Sequence, residues 1–568
     1  MHRLLCFLFL LAFVNSSAQE TVYYNARIFT GDRLHPYAEA VAIRGKYIVA
    51  VGNSADLRKQ VSKNASWVDL QGGFLIPGLV DSHNHGIAGG RGLTKANLED
   101  ELVTVDQLRQ FVAGKIAKKE GMTGDVMFVY GINISTWKSQ DELSKAFNTG
   151  ELAPYPILFR GSDGHTGWGN RTMMARAGLN RAFTDARPAD EKIYYAVDAN
   201  GEPTGFVSEE GMGIYTKVVP AETDFSEAAE KTMQYNNQFG ITAWLDPAVR
   251  SFNSHANRPV NWADWYRYLQ QHNKLTAHIR AAIVVDADED AATTIRKVRD
   301  MQRSYNQEDF SIIGMKVFAD GVVEHPTHTA AMSLPYENRD SRGVLMFEPA
   351  HFAKLVVAAD QKDLLVHVHA IGDRAVTATL DGFEKARRVN GNFRVPHTIT
   401  HLQFIQPADF IRFKALNVLA SFQLLWAFGD VTTIDIVQPC IDPSLYRWQY
   451  PARSLLQAGA TICGASDWPV SSANPFEAIY RAETRRGPMG VLDSTQCLPR
   501  IDMLYAYTIE AAKALRLENK IGSLQPGKYA DLVLVDRDLL AIDAESLPGT
   551  RVKWTLFEGR KVYEAPED

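Results

Sequence analysis

"FLIPGLVDSHNHG", residues 74–86, is the stretch that decides the fold. An apolar run ends in Asp81, and two histidines, His83 and His85, follow one residue apart. Alternation along an extended strand puts positions i and i+2 on one face. The run therefore predicts a buried strand that carries two imidazoles at its C-terminal end. Taken alone, such a pair also suits a wet loop, so its meaning depends on what the other strands carry.

Seven more strand-like runs follow: "ITAWLDPA" (241–248), "TAHIRAAIVV" (276–285), "SIIGMKVFADG" (311–321), "LLVHVHAIG" (364–372), "HTITHLQ" (397–403), "NVLASFQ" (417–423) and "ATICGASDWPV" (460–470). They alternate with helical stretches, the pattern of βα units around a parallel sheet. The fold class read from this is α/β, a closed (β/α)8 TIM barrel. Such a barrel takes roughly 250 residues, and the surplus lies between the first and second strands, so residues 90–230 read as an insertion. Short strand-like runs at 21–70 and again at 521–538 and 552–564 predict a small β-sandwich built from both termini. The expected layout is a signal peptide at 1–18, sandwich at 19–75, barrel with insertion at 76–516, and sandwich again at 517–568.

The 568 residues are 46% hydrophobic and 22% charged, which suits a folded chain with a large core. A net charge of -6 with no Lys/Arg run gives no footprint for nucleic acid. Arg3, the apolar stretch Leu4–Val14 and the small residues Ser16-Ser17-Ala18 read as a secretory leader, which predicts an exported, periplasmic or extracellular protein. No later segment supplies the run of about 20 apolar residues that a membrane span needs. Without Cys6, in the leader, three cysteines remain (Cys440, Cys463 and Cys497), so at most one intrachain disulfide forms. The expected partner is a small-molecule substrate, and association of identical chains is compatible with the composition.

Barrel enzymes place their reacting groups at the C-terminal ends of the strands. Here those ends carry His83 and His85, Lys316, His367 and His369, His401, and Asp467. Each has a plain reading: a hydrogen-bonded core histidine, a turn cap at Asp467, an ion pair between Lys316 and Asp320. Together they are the donor set of a metal site, because imidazole and carboxylate are common zinc ligands. A lysine among apolar strand residues must also be paired or neutralised.

The order "DSHNH", "MKVFADG", "VHAIGDRA", "THLQ" and "SDWPV", closed by "IGSLQPGKYADLVLVD", resembles the amidohydrolase superfamily. It is most similar to the family-3 branch typified by N-substituted formamide deformylases, as are "GSDGHTGWGN" (161–170) and "GEPTGFVSEEG" (201–211). The resemblance implies metal ligation by His83, His85, His369, His401 and Asp467, with Lys316 N-carboxylated and bridging two divalent ions, zinc by default. His367 is then a supporting or packing residue.

The activity expected is hydrolysis of a non-peptide C–N bond by metal-activated hydroxide, with Asp467 as general base and then acid. His165 is expected to bond the substrate carbonyl or its oxyanion, the plain alternative being a loop histidine held by Asp163. Trp168 is expected to wall the pocket, and Trp137 and Trp426 are compatible with an apolar or aromatic substituent. Glu324, His325 and His328 read as a polar cluster able to contact substrate or, more plainly, as a solvated loop. Two rival readings remain: a mononuclear deaminase-type site of His83, His85, His369 and Asp467 with Lys316 unmodified, and an exported binding protein without turnover.

Overall fold

The computed structural model describes residues 19–252, 260–324, 327–337 and 339–566. The leader and His325 lie outside the described residues. Eight parallel strands form the barrel in sequence order: Leu79–Asp81, Ile241–Ser251, His278–Val284, Phe310–Phe318, Leu365–Ala370, His397–His401, Val418–Phe422 and Thr461–Gly464. All eight fall on the runs read from sequence. Nearly every residue in them is buried, because helices cover the outside and side chains fill the inside.

The fifth strand illustrates the division. Val366, Val368 and Ala370 join the large core under the helices, whereas Leu365 packs inside the barrel with Val80, Leu245, Leu419 and Cys463. His367 and His369 share the parity of Leu365, so they stand above this apolar floor. Cys440, Cys463 and Cys497 are free thiols.

Between the first and second barrel strands the chain builds a second, mixed sheet from strands lying between Ala96 and Ser208. It has its own core around Leu108, Phe147, Phe159 and Trp168. Helix Ser226–Gln238 then returns to the barrel, where Thr232 Oγ1 donates to the Gly86 carbonyl at 3.0 Å.

The terminal strands join in one sheet: Glu20–Phe29 and Ser66–Pro77 pair in parallel, and Leu532–Val535 pairs antiparallel with Ser66–Pro77. The small β-domain expected from both termini is thus present, its eight strands joined by hydrogen bonds and sharing one core that includes Ile28, Val41, Leu75, Leu532 and Leu556. A bulge beside Asn25, where the backbone is left-handed (φ 55), lets the long paired strands bend without breaking the ladder. No described helix is long and apolar enough to cross a membrane.

This sheet is tied to the barrel floor through His278, whose Nδ1 lies 2.9 Å from Asp309 and whose Nε2 lies 3.1 Å from Asp531. Burial opposes the imidazolium, but the two carboxylates outweigh it and raise His278 to about 9. A folded-state value above the unfolded 6.5 means the contribution is fully present below pH 6.5 and is lost as pH rises through about 9. The shift corresponds to about 3 kcal/mol at most. Between pH 7 and 10 the wild type is expected to lose more thermal stability than His278→Gln; parallel melting curves for the two would exclude the tie.

Candidate metal centre

The HxH pair lies just beyond the first strand, which ends at Asp81, in the turn that enters helix Gly86–Leu93. Turn geometry, and not strand alternation, therefore brings the two rings to 5.1 Å. That turn is built around the fully buried Asp81. One oxygen accepts from the N–H groups of His83 (3.0 Å) and Ser466 (3.1 Å). The other accepts from Ser466 Oγ (2.5 Å) and Asn84 Nδ2 (3.2 Å). Ser82 N donates to the Gly464 carbonyl at 2.9 Å and Asp467 N to that of His83 at 2.8 Å, so the barrel seam sets His83 against Asp467. Burial raises the Asp81 carboxyl to about 6 despite these bonds.

Two backbone irregularities aim the remaining donors. In the fourth strand Ile312, Met315 and Val317 face the helices while Ile313 faces the barrel interior. The register skips from Ile312 to Gly314 against Ala281 and Ala282, a bulge that turns Lys316 inward. In the sixth strand His397 and Ile399 face outward, His397 stacking on Phe383. Simple alternation would send His401 the same way. Left-handed φ values at His401 (77°) and Leu402 (54°) reverse it, and His401 Nδ1 comes to 3.8 Å from Asp467 Oδ2. Asp467 is itself left-handed (φ 56°), and strained backbone of this kind persists where surrounding contacts over-determine it.

Around Asp467 Oδ1 lie His83 Nε2 at 3.0 Å and His85 Nε2 at 3.2 Å. His83, His401 and Asp467 bring one donor atom each within 4.8 Å of one another. His369 stands beside His401, with ring centroids 4.4 Å apart. Three of the histidines are held by a neighbour through one ring nitrogen. His83 Nδ1 meets His367 Nε2 at 2.6 Å, His369 Nε2 donates to the Gly321 carbonyl at 3.1 Å, and His401 Nδ1 meets Gln423 Oε1 at 3.1 Å. Bonds of this kind orient an imidazole and leave its second nitrogen for a ligand. His367 in turn contacts Thr398 Oγ1 at 2.5 Å, so it supports His83.

Burial first, then repulsion from one another and from Lys316, holds His83, His369 and His401 well below the usual imidazole range. They are neutral donors at neutral pH. Burial lowers Lys316 to about 7 against the pull of Asp467. Its plain partner, Asp320, is engaged elsewhere, accepting from the N–H groups of Ala331, Ile371 and Gly372. Burial pushes the Asp467 carboxyl up, but His85, His401 and Lys316 hold it below its ordinary value. His83 Nε2 and Asp467 Oδ1 are both buried and have no hydrogen-bond partner. This donor set fits a divalent cation.

His165 lies at the same centre, its ring 5.8 Å from that of His369. Asp163 takes only its backbone N–H; the ring bonds Glu209 at 2.7 Å. Burial disfavours its charge, but Glu209 prevails and raises it to about 9, so the imidazolium persists at neutral pH. Glu209 was not singled out from sequence, although "VSEEG" marks an acidic pair at the end of a strand. Trp426 stacks on His401, with ring centroids 5.8 Å apart.

Two expectations are corrected. Trp168 does not wall the pocket: it is fully buried against Phe147 and Phe159 and donates to the Thr204 carbonyl, because its strand faces it into the insertion's own core. Glu324 and His328 do not form a solvated loop. Glu324 is half-buried and accepts from Gln403, while His328 is buried and stacks on Tyr336. A cavity of about 1130 Å³ opens beside His165 and Glu209, between Val284 and Phe318 of the barrel and Phe128 and Arg160 of the insertion sheet.

The sequence pattern of the amidohydrolase family matches residues 66–563. The chain is 29% identical over 523 residues to the protein LONG AFTER FAR-RED 3 of Arabidopsis thaliana, covering 90% of this chain and 86% of that protein. It is 25% identical to the putative amidohydrolase YtcJ of Bacillus subtilis, over 96% of this chain and 99% of that one. Against the N-substituted formamide deformylase of Arthrobacter pascens it is 23% identical, over 96% and 98%. An uncharacterized metal-dependent hydrolase from Pyrococcus horikoshii OT3 shares the fold with a TM-score of 0.70 at 22% identity, covering 93% of this chain and 99% of that one.

Ser466→Ala removes the hydroxyl bond to Asp81 and leaves the Trp468 N–H without its 3.0 Å acceptor. A loss of about 1–3 kcal/mol is expected. Bound metal per chain should fall with it, read by calorimetry and elemental analysis; unchanged stability and metal content would show that the seam does not set the centre.

Proposed function

Because the chain belongs to the amidohydrolase family, whose members are metal-dependent hydrolases, we propose that it hydrolyses a non-peptide C–N bond of the amide, N-formyl or N-acyl amine type. The observation that carries this reading is the facing pair His83 Nε2 and Asp467 Oδ1, buried, 3.0 Å apart and without hydrogen-bond partners. With the His83 proton on Nδ1, toward His367, the Nε2 lone pair would face the carboxylate oxygen, an arrangement that a cation between them stabilises. His83, His85 and Asp467 would hold one divalent ion, and His369 and His401 a second, zinc being the default for these donors. Lys316, buried among them, would be the bridging N-carboxylate. A bound divalent ion supplies a nucleophile near neutral pH, since it lowers the pKa of its water from 15.7 to about 7.

The chain's own groups account for the rest. The Asp467 carboxylate would accept the proton released by the attacking water and return it to the leaving nitrogen. The cationic His165, held by Glu209, donates to the substrate carbonyl oxygen and stabilises charge that develops there. Apolar side chains at the barrel mouth, Val284 and Phe318 among them, limit water at the reacting bond. A single-ion reading has one observation in its favour, the compact trio His83, His401 and Asp467.

The test is metal-loaded turnover of a panel of N-formyl and N-acyl amines. Hydrolysis should disappear with a chelator and return with zinc. Asp467→Asn should lower kcat by about 10²–10⁴-fold, with metal content measured alongside. Two ions per chain support the bridged centre and one ion the single-ion site; no turnover of any amide by the metal-loaded protein would refute the hydrolase reading.

A further inference from the structure

His165 belongs to the insertion, yet the contacts that aim its ring reach it from the barrel. His165 precedes strand Thr166–Gly169 and Glu209 follows strand Pro203–Ser208. The two strands pair antiparallel with Thr166 opposite Ser208, so His165 and Glu209 stand side by side at one end of the insertion sheet. Glu209 N–H donates to the His165 carbonyl at 2.7 Å, and Glu209 Oε2 lies 2.7 Å from His165 Nδ1. The Glu209 backbone is left-handed (φ 47), a conformation that is costly for a residue with a side chain and persists where its contacts over-determine it.

One of those contacts comes from the loop beyond the fourth barrel strand. There the buried Thr329 donates from Oγ1 to Glu209 Oε1 at 3.0 Å, across 120 residues of chain. The same Oγ1 accepts the Val322 N–H at 3.1 Å, and Thr329 N–H donates to the Val322 carbonyl at 2.9 Å. These bonds fix the oxygen and leave the hydroxyl proton for the carboxylate. Gly321 makes the approach possible: a Cβ there would stand 2.1 Å from Thr329 Oγ1 and 2.8 Å from Glu209 Oε1. The two oxygens of Glu209 are thus divided, Oε2 for the imidazole and Oε1 for the hydroxyl. The Glu209 side chain is only 9% exposed, so rotating the carboxylate would leave an oxygen without a donor in a nearly dry site.

We propose that Thr329 is a positioning residue, which through Glu209 holds the His165 ring so that Nε2 points at the substrate carbonyl oxygen. This rests on the role given to His165 above and adds what sets its direction. The same loop orients His369 through the Gly321 carbonyl, so one barrel loop keeps the insertion's histidine in register with the metal centre. The plain alternative is that the Thr329 bond only docks the insertion on the barrel.

Thr329→Val keeps the shape and removes the hydroxyl, Thr329→Ala serves should the valine variant not fold, and Thr329→Ser restores the hydroxyl. With the metal-loaded full chain, and 4-nitroformanilide and 4-nitroacetanilide added to the panel of amides, kcat and kcat/KM should fall together by about tenfold without the hydroxyl and recover in Thr329→Ser. In a Glu209→Gln background the same substitution should change kcat by less than about twofold, because a residue that acts through Glu209 then has nothing to act on. A loss that persists in that background, or that serine does not restore, is docking alone and overturns the proposal. A readout without turnover comes from protein labelled with ¹⁵N-histidine. The Nδ1–H signal of His165, assigned by its disappearance in His165→Gln, should exchange slowly with water in the wild type and Thr329→Ser and rapidly without the hydroxyl; equal exchange in all of them overturns the proposal. If no amide is hydrolysed and exchange still follows the hydroxyl, the hydrolase reading fails while the hold of Thr329 on His165 stands.

Discussion

The centre depends on one buried carboxylate that is not itself a candidate ligand. Asp81 accepts hydrogen bonds from both sides of the seam between the first and last barrel strands. Through it the turn carrying His83 and His85 is fastened to the turn carrying Asp467, and three donor groups from opposite ends of the chain meet. The arrangement resists small distortions, because freeing one of these N–H groups in a dry interior costs the desolvation of an unpaired donor.

Above that seam, burial and mutual repulsion work in the same direction. Several imidazoles and a lysine crowd into one dry volume, where each added positive charge disfavours the next. His83, His369 and His401 stay neutral, and the carboxylate of Asp467 is stabilised by the basic groups around it. Each imidazole is also oriented by a neighbour, His367, the Gly321 carbonyl or Gln423. The result is a set of convergent donor atoms, each imidazole held in orientation by its neighbour.

The insertion complements the barrel. It has a separate core that holds Phe147, Phe159 and Trp168 away from the site. What it turns toward the barrel mouth is a charged and polar face with Arg160, His165 and Glu209. Chemistry is thus concentrated at the barrel strand ends, while the chain between the first and second strands shapes what enters.

Much of this was legible in the residues. The eight strands and the donor types at their ends could be read because buried parallel strands are near-continuous apolar runs, in which a histidine, lysine or aspartate stands out. Surplus length located the insertion, and β-branched runs at both termini located the outer sheet. The direction of individual side chains was not legible. Trp168 reads equally well as pocket or core, and the partnership of His165 with Glu209 spans 44 residues. By itself, then, the sequence determined which groups are available and on which strands. Only the tertiary structure decided that Lys316 and His401 point inward, since a bulge at Ile313 and a left-handed turn at His401 each reverse the alternation. Such reversals are set by contacts with neighbouring strands, which no local residue pattern records.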